Sequence, residues 1–188
     1  GRVKVMLLVS RSTATLDRDH ILSAGYESMT ENLTDSIISP LFFFSLFGIT
    51  GAAVFRAVNT MDAMLGYRDE RERIGWCAAR MDDVLNYVPA RITVLLLLLH
   101  FFQRRRLSSA LKIMRRDGRK RPGFNGGIVM ATMAGGVGIR FEKPGVYTIG
   151  DGERTLDEGG ADILEATRMV TVLFVLISVS TLFLLGSL

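Results

Sequence analysis

Eight polar side chains in the stretch 56–93 are of types that could do chemistry together: Asn59, Asp62, Arg68, Arg80, Asp82, Asp83, Asn86 and Arg91. The stretch lies between two strongly apolar runs, so these groups fall at or inside the polar edge of a bilayer. Charge there is costly unless it is paired or used. Arg80, Asp83 and Asn86 recur every three residues with Asp82 beside them, which puts a cation, a carboxylate and an amide on one side of a helix. Arg91, just after Pro89, either snorkels to the interface or faces inward as an anion ligand; Asn86, five residues earlier, favours the inward reading. Upstream, Glu27, Glu31 and Asp35 recur every four residues and share one helix face. A divalent cation, or arginines from elsewhere, would turn their mutual repulsion into a site, although a solvated acidic face is the plainer account of the spacing alone. Carboxylates for Mg2+, arginines for phosphate and amides to orient a polar substrate make one coherent set.

The elements that must position these groups follow from hydropathy. Mean hydropathy is +0.28 and 48% of residues are hydrophobic, clustered into runs. The chain therefore reads as a single membrane domain over 1–188, all-α, a polytopic helical membrane protein with polar helical loops. A polar helical segment covers 1–36, with Thr15 or Asp17 a plausible N-cap. Apolar membrane segments cover 37–58, 84–102 and 169–188, and a basic, Gly-rich cytoplasmic region covers 103–168. Within 104–121 stand nine Lys or Arg against one Asp, which the positive-inside rule places in the cytoplasm. Lys143-Pro144-Gly145 signals a turn, and 162–168 reads as a short polar helix. Three full spans would put 59–83 and the acidic helix on opposite sides of the membrane. Pro40, Gly48 and Gly51 interrupt the first run, so it either kinks or turns back as a re-entrant pair; turning back reunites the two clusters.

Several classes drop out. One cysteine, Cys77, leaves no internal disulfide or cysteine metal cage, and His20 and His100 are isolated. No Walker GK[ST] follows the glycines. The basic block lacks interleaved aromatics, which argues against nucleic acid. Trp76 and Tyr87 read as interfacial anchors, and Ala131, Ala134 and Gly135 as a close-packing helix surface. An enzyme is favoured over a transporter or scaffold component, because the polar residues gather in segments beside the spans and no internal repeat is present. The chain begins at Gly1, which suggests a piece of something longer.

The blocks ESMTENLTDSIISPLF (27–42), RAVNTMDAMLGYRDER (56–71), GWCAARMDDVLNYVPARIT (75–93) and RDGRKRPGFNGGIVMATMAGGVGI with EKPGVYTIGDG (116–152) together resemble the adenosylcobinamide-phosphate synthase family, membrane proteins of cobalamin biosynthesis. The resemblance implies a ligase that attaches aminopropanol (phosphate) to a corrin side-chain carboxylate of adenosylcobyric acid, with ATP and Mg2+. On that reading Glu27, Glu31, Asp62, Asp82 and Asp83 are candidate catalytic groups and Glu31, Asp35 and Asp82 candidate metal ligands. Arg68, Arg80 and Arg91 would clamp phosphate, and Asn32, Asn59, Asn86 and Asn125 would orient amides of the substrate. The implied setting is a cell membrane crossed several times, with the site facing the cytoplasm. The bilayer and other late cobalamin-pathway enzymes are the implied partners, and nucleic acid is not one. The chain departs from the family pattern at Ser12, where Asp is frequent in R-D-T-S, and at Arg121 and Gly123, where K-H-P-S-P-N is common. It also lacks the hydrophobic helices with which the family typically begins, so it resembles the C-terminal part of a usual member.

Overall fold

A computed structural model describes residues 17–65, 72–184 and 186. Helix α1, Arg18–Asn32, starts at Asp17, whose carboxylate accepts from His20 N at 2.9 Å. It continues through one wide π-helical turn, Leu33–Ile38, into α2, Ser39–Leu65. Pro40 accounts for the wide turn: in α-geometry its ring would strike the carbonyl of Ser36 and one helix hydrogen bond would vanish. Helix α3 is Glu72–Leu85 and α4 is Tyr87–Gln103. They meet at a 45° bend, a correction to the expectation from sequence that the polar helix runs straight into the apolar span. Pro89 is the cause, since it cannot donate to Leu85 and its ring crowds that carbonyl. Then follow α5, Leu107–Asp117; α6, Gly126–Val137; a two-stranded antiparallel hairpin of β1, Phe141–Lys143, and β2, Tyr147–Ile149; and α7, Leu156–Leu184. The polar stretch 162–168 is the first part of α7 rather than a separate helix.

Helix α2 is not one rod. Gly48 has φ +64 and ψ −155, outside helical geometry, a conformation open to glycine because it lacks a Cβ. The rings of Phe43 and Phe55 stack at 5.4 Å between centroids, whereas twelve residues of straight helix span about 18 Å. Ser39 and Asn59 both reach the α3–α4 junction, at Asn86 and Asp82. The segment is therefore a helical hairpin with its apex at Gly48. Phe44, Leu46, Phe47, Ile49 and Val54 stand exposed around it.

Two helical stretches, Arg18–Leu65 and Leu156–Leu184, are long and apolar enough to cross a membrane, and the bent pair Gly75–Leu85 and Tyr87–Gln103 would make a third. The chain is thus a helical membrane protein. The first stretch satisfies length and hydropathy, but its fold-back at Gly48 leaves apolar arms, 37–47 and 49–58, of only about 15 Å each. The core gathers around α6, which is buried along its length, together with Leu97, Ile113, Ile139, Phe141, Ile149 and Ile163. Close approach requires a small residue at Gly136, where any Cβ would run into the ring of Phe101. Helices α5, α6 and the β-hairpin give 103–168 a packed interior, which its glycine-rich composition did not suggest.

Candidate active site

A cavity of about 680 Å³ opens where four elements converge. The end of α1 and the wide turn supply Glu31, Thr34 and Asp35, and the returning arm of α2 supplies Asp62. Helix α3 contributes Trp76, Arg80, Asp82 and Asp83, with Asn86 at its bend. The fourth wall is the loop before α6 with the first residue of that helix, carrying Arg121, Phe124, Asn125 and Gly126. Five carboxylates thus face two guanidinium groups and a helix N-terminus, whose unpaired N–H groups favour anions.

These side chains are held by a relay of hydrogen bonds across long sequence distances. Asp82 accepts from Asn59 Nδ2 at 3.1 Å and from Asn86 Nδ2 at 2.9 Å, and Asn86 Oδ1 accepts from Ser39 Oγ at 2.5 Å. Ser39 and Asn86 are buried, so the apolar hairpin is pinned to α3 by polar groups hidden from water. Asn125 donates to the carbonyl of Asp83 at 2.9 Å and accepts from Arg91 at 2.6 Å. Arg91 also donates to the Phe124 carbonyl at 3.3 Å and lies over the ring of Tyr87. Arg121 forms an ion pair with Glu31.

The loop that carries Arg121 is anchored from behind by Asp117. This carboxylate is fully buried and accepts from Arg116, while Lys120 pairs with it and the Gly150 N–H donates to it at 2.8 Å. The Arg116 guanidinium, chiefly, holds the Asp117 carboxyl far below the usual range, with Lys120 and the Gly150 N–H adding to the effect against the opposing influence of burial.

The expected site residues separate into groups. Glu31, Asp35, Asp62, Arg80, Asp82, Asp83, Asn86 and Asn125 come together on the cavity wall. Asn59 stands behind Asp82 as its hydrogen-bond donor, and Arg91 braces the loop instead of lining the cavity. Glu27 is turned toward the β-hairpin, where it accepts from Ser23 Oγ at 2.5 Å and from the Tyr147 hydroxyl at 2.7 Å. Burial, then the nearby Glu27 charge, pushes the Tyr147 phenol up. Asn32 is exposed and bonds to Ser28 and Ser36 along its own helix. Arg68 lies outside the described residues. Among those described, no three Asp, Glu, His or Cys side chains converge tightly enough to hold a metal ion by themselves. Of the candidate ligands, Glu31 is paired with Arg121 and each oxygen of Asp82 accepts from an amide, so an ion beside Asp35 would need oxygens from a bound ligand as well.

The profile of the CobD/Cbib protein family matches residues 1–174. The chain belongs to the CobD/Cbib family. It is 44% identical over 179 residues to a probable cobalamin biosynthesis protein CobD of Methanothermobacter thermautotrophicus, covering 94% of this chain and 60% of that protein. A protein of the same description from Pyrococcus abyssi is 43% identical, with 90% and 55% covered. The one from Methanocaldococcus jannaschii is 39% identical, with 94% and 58% covered. This CobD/Cbib chain therefore spans about 60% or less of the length of these relatives. No solved structure matches.

Four polar or aromatic side chains on the cavity wall of this family member were not among those expected to act: Thr34, Trp76, Arg121 and Phe124. Arg121 stood out in sequence only as a departure from a common pattern. Trp76 read as an interfacial anchor. The approach of Arg121 and Phe124 to the acidic residues depends on the fold of the 118–125 loop, which leaves no periodic trace.

Proposed function

We propose that the cavity is the reaction chamber of a ligase in cobalamin biosynthesis. It joins the amine of aminopropanol (phosphate) to a corrin propionate carboxylate of adenosylcobyric acid at the expense of ATP. The observation that carries the reading is the pairing, in one cavity, of a carboxylate-rich wall with Arg80, Arg121 and the N-terminus of α6. Such a chamber suits a reaction that moves a phosphoryl group and then removes a proton from an amine.

In the first step a carboxylate oxygen of the substrate attacks the terminal phosphorus of ATP and ADP departs, leaving an acyl phosphate. Arg80, Arg121 and the first N–H groups of α6 would hold the phosphoryl oxygens as charge builds on them. In the second step the amine nitrogen attacks the acyl carbon, inorganic phosphate leaves and the nitrogen gives up a proton. Asp62 and Asp83 are the candidate bases, since no side-chain hydrogen bond occupies either carboxylate among the described residues. The donor set fits Mg2+ shared with substrate phosphates, an ion that ordinarily takes one or two protein carboxylates there. Asp35, with Glu31 or Asp82 beside it, would hold this ion, which would draw charge from the phosphoryl oxygens. Asn86 and Asn59 keep Asp82 oriented, and Glu31 sets the direction of Arg121. The basic stretch 104–121 ends in the cavity wall at Arg121, which supports a cytoplasmic site on a cell-membrane protein.

The test uses the full-length protein in detergent with adenosylcobyric acid, aminopropanol phosphate and Mg-ATP. Product formed without a sealed compartment supports a ligase over a transporter. Asp62→Asn and Asp83→Asn are expected to lower amide formation, by about 100-fold or more for whichever is the base, with unchanged membrane insertion. Near-normal turnover in both removes these residues from the chemistry.

A further inference from the structure

We infer that Trp76, Arg80 and Phe124 form a stacking subsite for the purine base of a nucleotide, with Arg80 meeting the phosphates next to it. The inference rests on the proposed function only in taking that nucleotide to be the phosphoryl donor.

Trp76 and Arg80 lie one turn apart on α3 and so project to the same side. Phe124 comes from a different element, the loop before α6, and its backbone is fixed by Arg91 at its carbonyl and by Asn125 next to it. The Arg80 guanidinium carbon sits 5.8 Å from the Trp76 ring centre and 5.9 Å from that of Phe124. Two aromatic rings from separate elements therefore flank one cation.

Both rings remain largely uncovered, at 62% for Trp76 and 59% for Phe124. They stand on the wall of the same cavity as five carboxylates, a place lipid tails would avoid. An interfacial anchor has no reason to face such a chamber. A ligand with a flat, uncharged π-face and an anionic arm satisfies the three groups together. Stacking serves any base, and an arginine adds a cation–π contribution.

The volume narrows the choice. At about 680 Å³ the cavity is within the range that encloses a ligand of ordinary small-molecule size, so a nucleotide fits within it, whereas a corrin would send in only its reacting side chain and leave the macrocycle outside. The corrin rim also bears mainly neutral amides, which leaves the Arg80 charge without a match. A nucleotide lying from the platform toward Arg121 and the start of α6 would deliver its terminal phosphate among the carboxylates.

Trp76 is the only tryptophan in the chain, so its emission reports on the subsite directly. The 188-residue chain in detergent is titrated with Mg-ATP, adenosine and inorganic tripolyphosphate. Mg-ATP and adenosine are expected to change Trp76 emission saturably, and tripolyphosphate to leave it unaltered. Phe124→Ala is expected to weaken Mg-ATP binding by about tenfold, the size of one lost stacking contact. Phe124→Leu, with circular dichroism unchanged, guards against a folding defect. In the full-length enzyme both substitutions should raise the KM for ATP while kcat is held. Emission indifferent to Mg-ATP at concentrations that support turnover overturns the inference. So does an equal response to tripolyphosphate, or quenching of Trp76 by nitroxide lipids at the interface in place of nucleotide. If nucleotide binds at Trp76 but no amide forms with any donor, the subsite stands and the ligase reading falls. If amide forms with Trp76 silent, the reverse holds.

Discussion

Replacing Asn86 with alanine tests how the apolar hairpin is fastened to the site. The Asn86 amide accepts from Ser39 Oγ at 2.5 Å and donates to Asp82 Oδ2 at 2.9 Å, and both Ser39 and Asn86 are at most 1% exposed. Alanine leaves a buried hydroxyl without this acceptor and removes one of the two amides that orient the Asp82 carboxylate. A stranded hydroxyl costs about 1–3 kcal/mol and a lost hydrogen bond to a charged group about 1.5–3 kcal/mol, so about 3–5 kcal/mol together is expected. For a chain of this size that corresponds to a fall in Tm of roughly 10 °C. The assay is thermal unfolding in detergent for Asn86→Ala, Ser39→Ala and the double variant. The double variant should lose less than the sum of the singles by about 1–2 kcal/mol, as residues in direct contact do. Additivity within about 0.5 kcal/mol would refute the idea that this buried pair fastens the hairpin.

Three further outcomes are expected. Gly136→Ala should cost about 1–3 kcal/mol in a thermal melt, because its Cβ runs into the Phe101 ring; Phe101→Leu in the same chain should restore most of the loss, and no restoration would rule out that contact as the cause. Asp117, held below the usual carboxylate range by Arg116, should add stability fully above its unfolded value of about 3.9. That contribution is lost as pH falls through the lower folded value, so Asp117→Asn should flatten the acid limb of a stability–pH curve, and an unchanged limb would contradict the assignment. In a Cys77→Ser background, cysteines introduced at Ser36 and Met61 of the vesicle-embedded protein should label from the same side of the membrane; labelling from opposite sides would show a full crossing.

Part of this arrangement was legible in the chain. Pro40 and Gly48 announced breaks, and each coincides with one, a widened turn and a reversal; the 45° bend beside Pro89 was not expected, since the polar pattern continues up to the apolar span. Hydropathy located the apolar helices because burial in lipid leaves a compositional mark. The four-residue spacing of Glu27, Glu31 and Asp35 was less informative. It placed them on one face, but could not say that Glu27 would meet Tyr147 while Glu31 met Arg121, since those partners lie far away in sequence. The pairing of Ser39 with Asn86, 47 residues apart, likewise leaves no periodic signal. The β-hairpin escaped because three-residue strands are too short for alternation to stand out, although its turn at Lys143-Pro144-Gly145 was plain.

The reversal at Gly48 also bears on how such a chain enters a bilayer. A straight crossing would carry Arg56, Asp62 and the charged groups of α3 through the hydrocarbon, at roughly 2.5–3.5 kcal/mol per charge at its centre. A chain that turns back leaves all of them on the side where they were made, and insertion reduces to partitioning of a short apolar loop. The arms then act as a ruler. Each residue added to or removed from both arms would raise or lower the floor of the cavity by about 1.5 Å relative to the membrane plane, and would so set the depth at which the cavity opens.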